Sequence, residues 1–339
     1  MSRFWVGGAT GFLGSHLVAA LRGAGHEVIA VSRGGGHVGD VDVQPVDILD
    51  QAAVRESAQG ADGAFLCTGK VSRDREDAAA LHELHVVGTR RALAGLKDAG
   101  VKRVVYASTS GTIAVGRDGE HTSTETDSAP LDIIARWPYY RTKLYAEREA
   151  LEAGSDDLEV VVVNPTLLLG PGDLRESSTE DVRRFLERKV PAIPAGGMSF
   201  VDVRDVALAM LSAFELGRAG ERYLLCSKNL TIAAFFERLE RLSGVRGPKL
   251  KMPKTRALAL GANRLFTRVI EAVGGSAPVD EVSVEMSQYF WYCDSSKAER
   301  ELNFAPRDPG ETLRDTVRDL IERGVVFPDG AVEVGPQLS

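Results

Sequence analysis

The sequence predicts an α/β fold in which a doubly wound parallel sheet is followed by a smaller, mostly helical region. Strand-like and helix-like segments alternate through the first half of the 339 residues, which is the pattern of a parallel sheet with crossover helices. The strand-like runs are continuously β-branched or apolar instead of alternating, as in strands that helices cover on both faces. Beyond Asn164 and Pro165 this alternation loosens and Gly/Pro-rich stretches appear, so the second region is expected there.

The chain begins with a strand, a glycine-rich turn and a helix. A strand-like run at 3–7 leads into Gly8, Gly11 and Gly14, and a helical pattern of leucines follows. This geometry directs backbone N–H groups and a helix N-terminus at the pyrophosphate of a dinucleotide. We expect Gly8 to turn the chain, Gly11 to let the phosphate approach and Gly14 to let the helix pack on the strand. The predicted cofactor contacts in this turn are Gly8, Thr10, Gly11, Phe12 and Leu13.

The remaining elements are predicted from apolar runs and helical periodicity. In the first half, strands are expected at 27–31, 43–46, 64–67, 104–107 and 160–163, and helices at about 50–59, 76–98 and 139–153. In the second half, a short strand is expected before a helix at 204–215. Further helices are expected at about 180–189, 232–242, 256–273 and 312–323.

These elements divide the chain into two predicted domains. The dinucleotide-binding Rossmann domain is expected to take residues 1–165 together with about 200–226. The substrate-binding region is expected to take residues 166–199 together with about 227–330, and residues 331–339 are expected to form a tail.

Composition and charge exclude several classes of protein. The net charge of −7 argues against a nucleic-acid-binding surface, which would need an excess of Lys and Arg. No apolar run is long enough to span a bilayer, and a strand pattern rather than a signal peptide begins the chain, so we expect a cytoplasmic protein. The 3 cysteines are widely spaced, so we expect reduced thiols and no metal site. The oligomeric state is left open, with a homodimer among the options.

Tyr139 and Lys143 are the candidate catalytic pair. Their spacing places both side chains on one face of a predicted helix. A nearby ammonium stabilises phenolate and lowers the pKa of a tyrosine, so that the phenol can donate a proton to a carbonyl oxygen during hydride transfer. Ser108, Thr109 and Ser110 follow the predicted strand at 104–107, at the edge where open α/β sheets bind ligands, so that a hydroxyl there can hydrogen-bond the substrate oxygen and the tyrosine.

Together with further motifs, these residues resemble the extended short-chain dehydrogenases/reductases, in the branch of dihydroflavonol-reductase-like and hydroxysteroid-dehydrogenase-like enzymes. The resemblance covers nearly the whole chain. Its other motifs are Asp47-Ile48, Cys67-Thr68-Gly69, Asn164-Pro165 with Gly170-Pro171-Gly172-Asp173, the run at 200–206 and the run at 294–302.

The resemblance implies an NAD(P) cofactor and a role for each matching residue. Tyr139 is the implied acid/base, and Lys143 is its activator and a ligand of the ribose. Thr109 is the implied hydroxyl partner at a position where the family usually has Ser, and Ser110 is the alternative if the alignment shifts by one residue. One departure is His85, where the family usually carries Asn, so a hydrogen-bonding or proton-relay role of that position is left open. The implied cofactor contacts beyond the glycine turn are Asp47 and Ile48 at the adenine, then Cys67, Thr68, Gly69, Tyr139, Lys143, Pro165 and Thr166.

The end of the second predicted strand indicates which cofactor is used. An Asp or Glu there binds the ribose 2′-hydroxyl of NAD and repels a 2′-phosphate. This chain has Ser32 and Arg33 instead, and a guanidinium is well suited to a phosphate. We therefore predict NADP, with NAD as the less favoured cofactor.

The predicted activity is NADP-dependent reduction of a ketone or aldehyde to an alcohol, with Tyr139 as the proton donor. Large apolar groups lie near the expected pocket, at Trp137 and in the runs 167–169, 258–273 and 289–292. They favour an apolar substrate of aryl, acyl or polycyclic type.

Two other functions are weighed against this one. A nucleotide-sugar epimerase or dehydratase with bound NAD is similar over the first half, and it needs basic groups aimed at two phosphates. A cofactor-sensing protein without turnover commonly loses the Tyr or the Lys, and this chain has both. The basic residues that could serve a diphosphate are Arg175, Arg183 and Arg184.

Overall fold

The first region is built on an eight-stranded sheet. Its strands are β1 (Arg3–Gly7), β2 (Glu27–Ser32), β3 (Gly36–Val38), β4 (Val41–Pro45), β5 (Gly63–Leu66), β6 (Arg103–Ala107), β7 (Glu159–Pro165) and β10 (Arg222–Leu225). They lie in the order β10-β7-β6-β5-β1-β2-β4-β3. All neighbours run parallel except β3, a short antiparallel edge strand on β4. The computed structural model describes residues 1–253, 257–261, 264 and 280–327.

A second, three-stranded sheet belongs to the other region. Its strands are β8 (Leu167–Leu169), β9 (Gly197–Asp202) and β11 (Lys228–Thr231), in the order β11-β9-β8. β8 runs parallel to β9, and β11 runs antiparallel to it. Because β8 follows β7 after a single residue, the second sheet begins beside the carboxyl edge of the first.

The helices start where local chemistry favours them. Asp50, Thr231 and Asp308 each accept a backbone N–H from the first turn of the helix that follows. Pro138 occupies the first turn of another helix, where its missing N–H has no partner to lose. The helices are α1 (Phe12–Gly23), α2 (Gln51–Ser57), α3 (Ala78–His82), α4 (Gly88–Asp98), α5 (Leu131–Ile134), α6 (Pro138–Glu152), α7 (Glu180–Leu186), α8 (Val203–Leu216), α9 (Ile232–Ser243), α10 (Glu281–Met286), α11 (Ser296–Leu302) and α12 (Pro309–Glu322).

The large sheet has an apolar core on each face. On one face α1 and α8 pack through residues such as Leu17 and Met210. On the other face α2, α4 and α6 pack through residues such as Val54, Leu93 and Ala146. Strands covered on both faces explain the continuous apolar runs, and the predicted doubly wound parallel sheet is confirmed.

Several elements differ from the sequence-based expectation. The helix expected at 76–98 is divided, because a π-helical turn at Glu83–Val87 separates α3 from α4. The strands β3, β8, β10 and β11 are too short to stand out in the sequence. Most of the helix expected at 256–273, and the tail expected at 331–339, lie outside the described residues. None of the helices in the described ranges combines the length and the apolarity needed to cross a membrane.

Candidate active site

The glycine turn between β1 and α1 has the close contacts that glycine permits. Gly8 has a φ of 79°, and a Cβ placed on it would lie 2.9 Å from the backbone nitrogen of Thr68. A Cβ on Gly14 would lie 2.1 Å from the carbonyl oxygen of Gly8. A larger side chain at either position would therefore push the turn away from α1 or from the end of β5. Gly11 is the N-cap residue of α1, directly before the helix begins at Phe12, as expected for a helix that receives a phosphate.

The residues predicted to bind a dinucleotide lie at one edge of the large sheet. The parallel strands β1, β2, β4, β5 and β7 end there, and the predicted contacts follow them directly. The first turn of α1 carries no acidic side chain that would repel a phosphate. Thr68 Oγ1 is buried without a hydrogen-bond partner in the described part of the chain. These features fit an NAD(P) group.

Three of these residues have well-defined surroundings. Arg33 is exposed just after β2, whereas Ser32 is buried and donates its hydroxyl to the carbonyl oxygen of Gly35 at 3.1 Å. Ile48 packs so closely on α4 that a Cβ on Gly88 would lie 2.8 Å from its Cδ1. The side chain of Ile48 therefore belongs to the core, and a contact with an adenine would come from one edge of it or from the backbone.

Lys143 lies on the buried side of α6. Its Nζ donates to Tyr106 Oη at 3.1 Å and to the carbonyl oxygen of Ala107 at 2.8 Å, and only 4% of the residue is exposed. The ammonium is thus held against the end of β6, below the strand ends that are predicted to carry the cofactor.

Tyr139 lies one turn before Lys143 and faces a cavity. Its hydroxyl has no hydrogen-bond partner among the described residues. Burial raises the pKa of the Tyr139 phenol above its ordinary value, and the phenols of Tyr140 and Tyr106 raise it further. This is the opposite of the predicted effect of Lys143, because the ammonium is engaged by Tyr106 and Ala107 while the low-dielectric surroundings penalise phenolate. In this structure Tyr139 is a neutral phenol.

The turn after β6 brings two hydroxyls to the same cavity. Thr109 and Ser110 both line it. Thr109 Oγ1 accepts the N–H of Gly111 at 3.4 Å, whereas Ser110 Oγ has no hydrogen-bond partner within the described residues. Both hydroxyls remain candidates for contact with a substrate, and that of Ser110 is the less occupied.

A group of buried polar side chains supports this turn from below. Glu147, which is 1% exposed, accepts hydrogen bonds from Ser108, from Thr112 at 2.9 Å and from Asn164 at 2.7 Å, and it pairs with Arg222 at 3.2 Å. Asn164 also donates to the carbonyl oxygen of Thr109 at 3.1 Å. We call Ser108, Thr112, Glu147, Asn164 and Arg222 the polar floor.

The polar floor joins α6 to the ends of three strands and thereby fixes the turn that carries Thr109 and Ser110. Sequence analysis missed Glu147. The signal that could have found it is its spacing, since Glu147 follows Lys143 by four residues, as Lys143 follows Tyr139.

His85 ties the loop after β5 to α6. The backbone N–H of Lys70 donates to His85 Nε2 at 3.1 Å, so the proton of the neutral ring lies on Nδ1 and is donated to Thr142 Oγ1 at 2.9 Å. Thr142 in turn donates to the carbonyl oxygen of Tyr139 at 3.0 Å. Burial, together with the charge of Lys143, lowers the pKa of His85 to about 3. The histidine therefore fills the position of the usual Asn as a neutral hydrogen-bonding group.

Above the turn lies a cavity of about 340 Å³. Of the large apolar groups predicted near the pocket, Trp137, Leu167, Leu168 and Trp291 line it, whereas Tyr289 is buried in a neighbouring core cluster. Arg184 lines the cavity, unlike Arg175 and Arg183. The other apolar lining residues include Tyr140, Val190, Met198, Ile232, Phe235, Phe236, Met252, Val282 and Met286.

Comparison with known families identifies the class of protein that this fold and site define. The model of the NAD dependent epimerase/dehydratase family matches residues 5–226. The chain belongs to this family and is an NAD(P)-dependent enzyme of the extended short-chain dehydrogenase/reductase type.

Two relatives extend over almost the whole chain. A protein of Synechocystis sp., named for a proposed dihydroflavonol 4-reductase activity, is 32% identical over 332 residues, which are 95% of this chain and 96% of that protein. Sterol demethylase protein B of Methylococcus capsulatus is 30% identical over 332 residues, 95% of this chain and 99% of that protein.

Solved structures share the fold at lower identity. The crystal structure of gox2253 has a TM-score of 0.80 and 23% identity, and the match covers 96% of this chain and 100% of that one. MoeE5 in complex with UDP-glucose and NAD has a TM-score of 0.72 and 22% identity, covering 96% and 100%. At these identities the likeness concerns the fold alone.

Proposed function

We propose that this enzyme uses NADPH to reduce the ketone or aldehyde of an apolar substrate to an alcohol, with Tyr139 as the proton donor. The observation that carries the proposal is the free hydroxyl of Tyr139, which faces a largely apolar cavity beside the hydroxyls of Thr109 and Ser110. The relatives named for reductase activity support the direction of the reaction.

The chemistry divides between the cofactor and the chain. When bound, a reduced nicotinamide supplies the hydride. Negative charge then develops on the substrate oxygen, and the Tyr139 hydroxyl donates its proton to that oxygen. Because burial disfavours phenolate, Tyr139 keeps its proton at neutral pH and can donate it. The hydroxyl of Thr109 or Ser110 donates a second hydrogen bond that orients the carbonyl group.

Lys143 and the polar floor hold the reacting groups of the protein in position. Lys143 holds α6 against β6 through Tyr106 and Ala107, and the family resemblance implies that its Nζ also binds the ribose of the cofactor. Asn164 and Glu147 hold the turn whose two hydroxyls, those of Thr109 and Ser110, would bind the substrate. The carbonyl carbon is thereby kept at a fixed place relative to the Tyr139 oxygen, which is the source of much enzymatic rate enhancement.

The choice of NADP over NAD rests on Arg33. Its guanidinium is exposed beyond the end of β2 and has no ion-pair partner among the described residues, so it is available to a 2′-phosphate. We expect Arg33→Asp to shift the ratio of the Kd values for NADPH and NADH about tenfold toward NADH, since salt screens charges at an exposed site. Fluorescence titration with each cofactor measures the ratio.

The matched control for Arg33 is Arg300→Asp, which makes the same change of charge on the exposed side of α11. It should leave the ratio of the Kd values within about twofold of the wild-type value. The reason is that α11 packs on β10, at the opposite edge of the sheet from β2, where salt screens its charge. If the wild-type protein binds NADH as tightly as NADPH, the assignment of NADP is wrong.

The cavity is poorly suited to a nucleotide sugar. A diphosphate needs unpaired basic groups, but within the described lining Arg73 pairs with Asp181 at 3.2 Å and Arg184 with Glu180 at 3.6 Å. A screen of aryl, acyl and polycyclic ketones with NADPH and NADH tests the proposal. We expect loss of NADPH absorbance with formation of an equal amount of alcohol. Conversion of UDP-glucose without net consumption of NADPH would contradict it.

A further inference from the structure

Arg73 joins three separate parts of the chain at the substrate cavity. It lies in the loop after β5, and its Nη1 donates to Ser283 Oγ of α10 at 2.9 Å. Its Nη2 donates to Asp181 Oδ2 of α7 at 3.2 Å. All three side chains line the cavity. The guanidinium is therefore held in place at a ligand-binding surface, where its charge can act on whatever enters.

The charges of the cavity cancel in pairs. Arg73, Glu180, Asp181 and Arg184 are the charged residues among the described lining, and they form the pairs Arg73 with Asp181 and Arg184 with Glu180. The remaining lining residues are apolar or neutral, and they include the aromatic rings of Trp137 and Trp291 at one end. An uncharged ligand meets no unpaired charge in this lining.

The guanidinium of Arg73 stays charged. Desolvation lowers its pKa, but the charges of Asp181 and Glu180 outweigh desolvation, and the net pKa lies above its ordinary value. Arg73 can therefore be neutralised only by a partner, and Asp181 is the carboxylate that reaches it. The side chains of Arg73 and Asp181 are 32% and 47% exposed. The pair is therefore accessible to solvent, and its contribution to the stability of the fold is small.

We propose that Asp181, by occupying Arg73, makes the cavity selective for uncharged ketones and excludes substrates that carry a carboxylate. A carboxylate that entered would have to displace Asp181 from Arg73 and lie next to a second negative charge. Such exclusion through an unfavourable contact is a general source of specificity. The inference rests on the proposed function only in taking this cavity as the substrate site.

The test compares two probes that differ in one charge, 4-acetylbenzoate and its methyl ester. Trp137 and Trp291 line the cavity, so binding of either probe is measured by quenching of tryptophan fluorescence, without turnover. We expect the wild-type protein to bind the ester about tenfold more tightly than the carboxylate, the scale of one unfavourable charge at a half-exposed site. Asp181→Asn should free Arg73 and shift this ratio about tenfold toward the carboxylate.

Two controls isolate the pair. Glu187→Gln removes one negative charge at the end of α7 but outside the cavity lining. It should leave the ratio within about twofold of the wild-type value, because Glu187 does not pair with Arg73 and its charge faces Arg183 and Lys189 instead. Adding Arg73→Met to Asp181→Asn should abolish the shift, because the carboxylate then has no guanidinium to bind. Circular dichroism checks that each variant is folded. If Asp181→Asn does not fold, Arg73→Met alone serves, and it should weaken binding of the carboxylate further.

The outcomes separate this inference from the proposed function. Equal binding of the two probes to the wild-type protein would overturn the inference, as would an unchanged ratio in Asp181→Asn or quenching by neither probe. NADPH oxidation with the ester is measured in parallel. Selective binding of the ester without its reduction would support the inference while counting against the proposed function. Reduction of both probes at equal kcat/KM would support the proposed function while counting against the inference.

Discussion

The polar floor and the cavity both adjoin the turn that carries Thr109 and Ser110, and Ser108 borders both. They are nevertheless built in opposite ways. In the floor, Glu147 is surrounded by four side chains that donate to it. In the cavity, the walls are largely apolar and the hydroxyls of Tyr139 and Ser110 have no partner in the described residues. The carboxylate of Glu147 is thus fully partnered without a ligand, although Asn164 Oδ1 is buried with no hydrogen-bond partner among the described residues. The cavity, in contrast, offers unused donors to a ligand.

This difference follows from the cost of burying polar groups. A buried carboxylate without partners is strongly destabilising, so Glu147 is tolerated only because the floor satisfies it. The hydroxyls of Tyr139 and Ser110 have no partner in the described residues, and a substrate oxygen can accept hydrogen bonds from them. Changes to the floor should therefore lower stability, whereas changes to the cavity should alter which ligand binds, as proposed for Asp181→Asn.

The largest expected effect on stability is that of Glu147→Gln. The substitution keeps the shape of the side chain but removes the charge that compensates Arg222. Because Arg222 is 25% exposed, we expect the free energy of unfolding to fall by about 2 kcal/mol, less than for a fully buried pair. Urea denaturation followed by circular dichroism measures this change.

The control for Glu147 is Glu149→Gln on the same helix. Glu149 pairs with Arg90, which is 61% exposed, so we expect a loss of about 0.5 kcal/mol or less. Equal losses in the two variants would remove the distinction between the floor and an ordinary surface ion pair.

A smaller effect is expected from His85→Asn, which restores the residue usual in the family. The folded protein lowers the pKa of His85 to about 3, from the ordinary value of 6.5 for a histidine. Between these two pH values the unfolded chain binds a proton that the folded chain does not, so stability falls as the pH falls. In the wild-type protein this contributes up to about 1 kcal/mol per pH unit. The asparagine has no such dependence.

Thermal unfolding from pH 7 to pH 4 tests the histidine prediction. The wild-type Tm should fall more steeply than that of His85→Asn below pH 6.5. His82→Asn, at an exposed histidine without a hydrogen bond or ion pair to the described residues, should follow the wild-type curve. Parallel curves for wild type and His85→Asn would show that the ring is not held neutral.

The sequence predicts the features that depend on local chemistry. The positive φ of Gly8 and the start of α6 at Pro138 are determined by neighbouring residues, and both could be anticipated. The π-helical turn that carries His85 could not, because it leaves the apolar periodicity of the segment almost unchanged. The shift of the Tyr139 pKa was predicted in the wrong direction, because it depends on burial and on the partners of Lys143.

The contacts that distinguish this site join residues far apart in the chain. Arg222 reaches Glu147 across 75 positions and Arg73 reaches Asp181 across 108. No periodicity or motif indicates such pairs, since they arise only when the strands and helices are assembled. The polar floor and the paired charges of the cavity therefore had to be found in the structure.

The central claim is that Tyr139 donates the proton in an NADPH-dependent reduction. Its most direct test is the rate of ketone-dependent NADPH oxidation by wild type and by Tyr139→Phe, with the Kd for NADPH measured on both. Loss of the phenol hydroxyl should lower turnover by at least about 10²-fold, the usual scale of general acid catalysis, and leave the Kd within about twofold because packing is preserved. Turnover close to that of the wild type in a folded Tyr139→Phe would contradict the account.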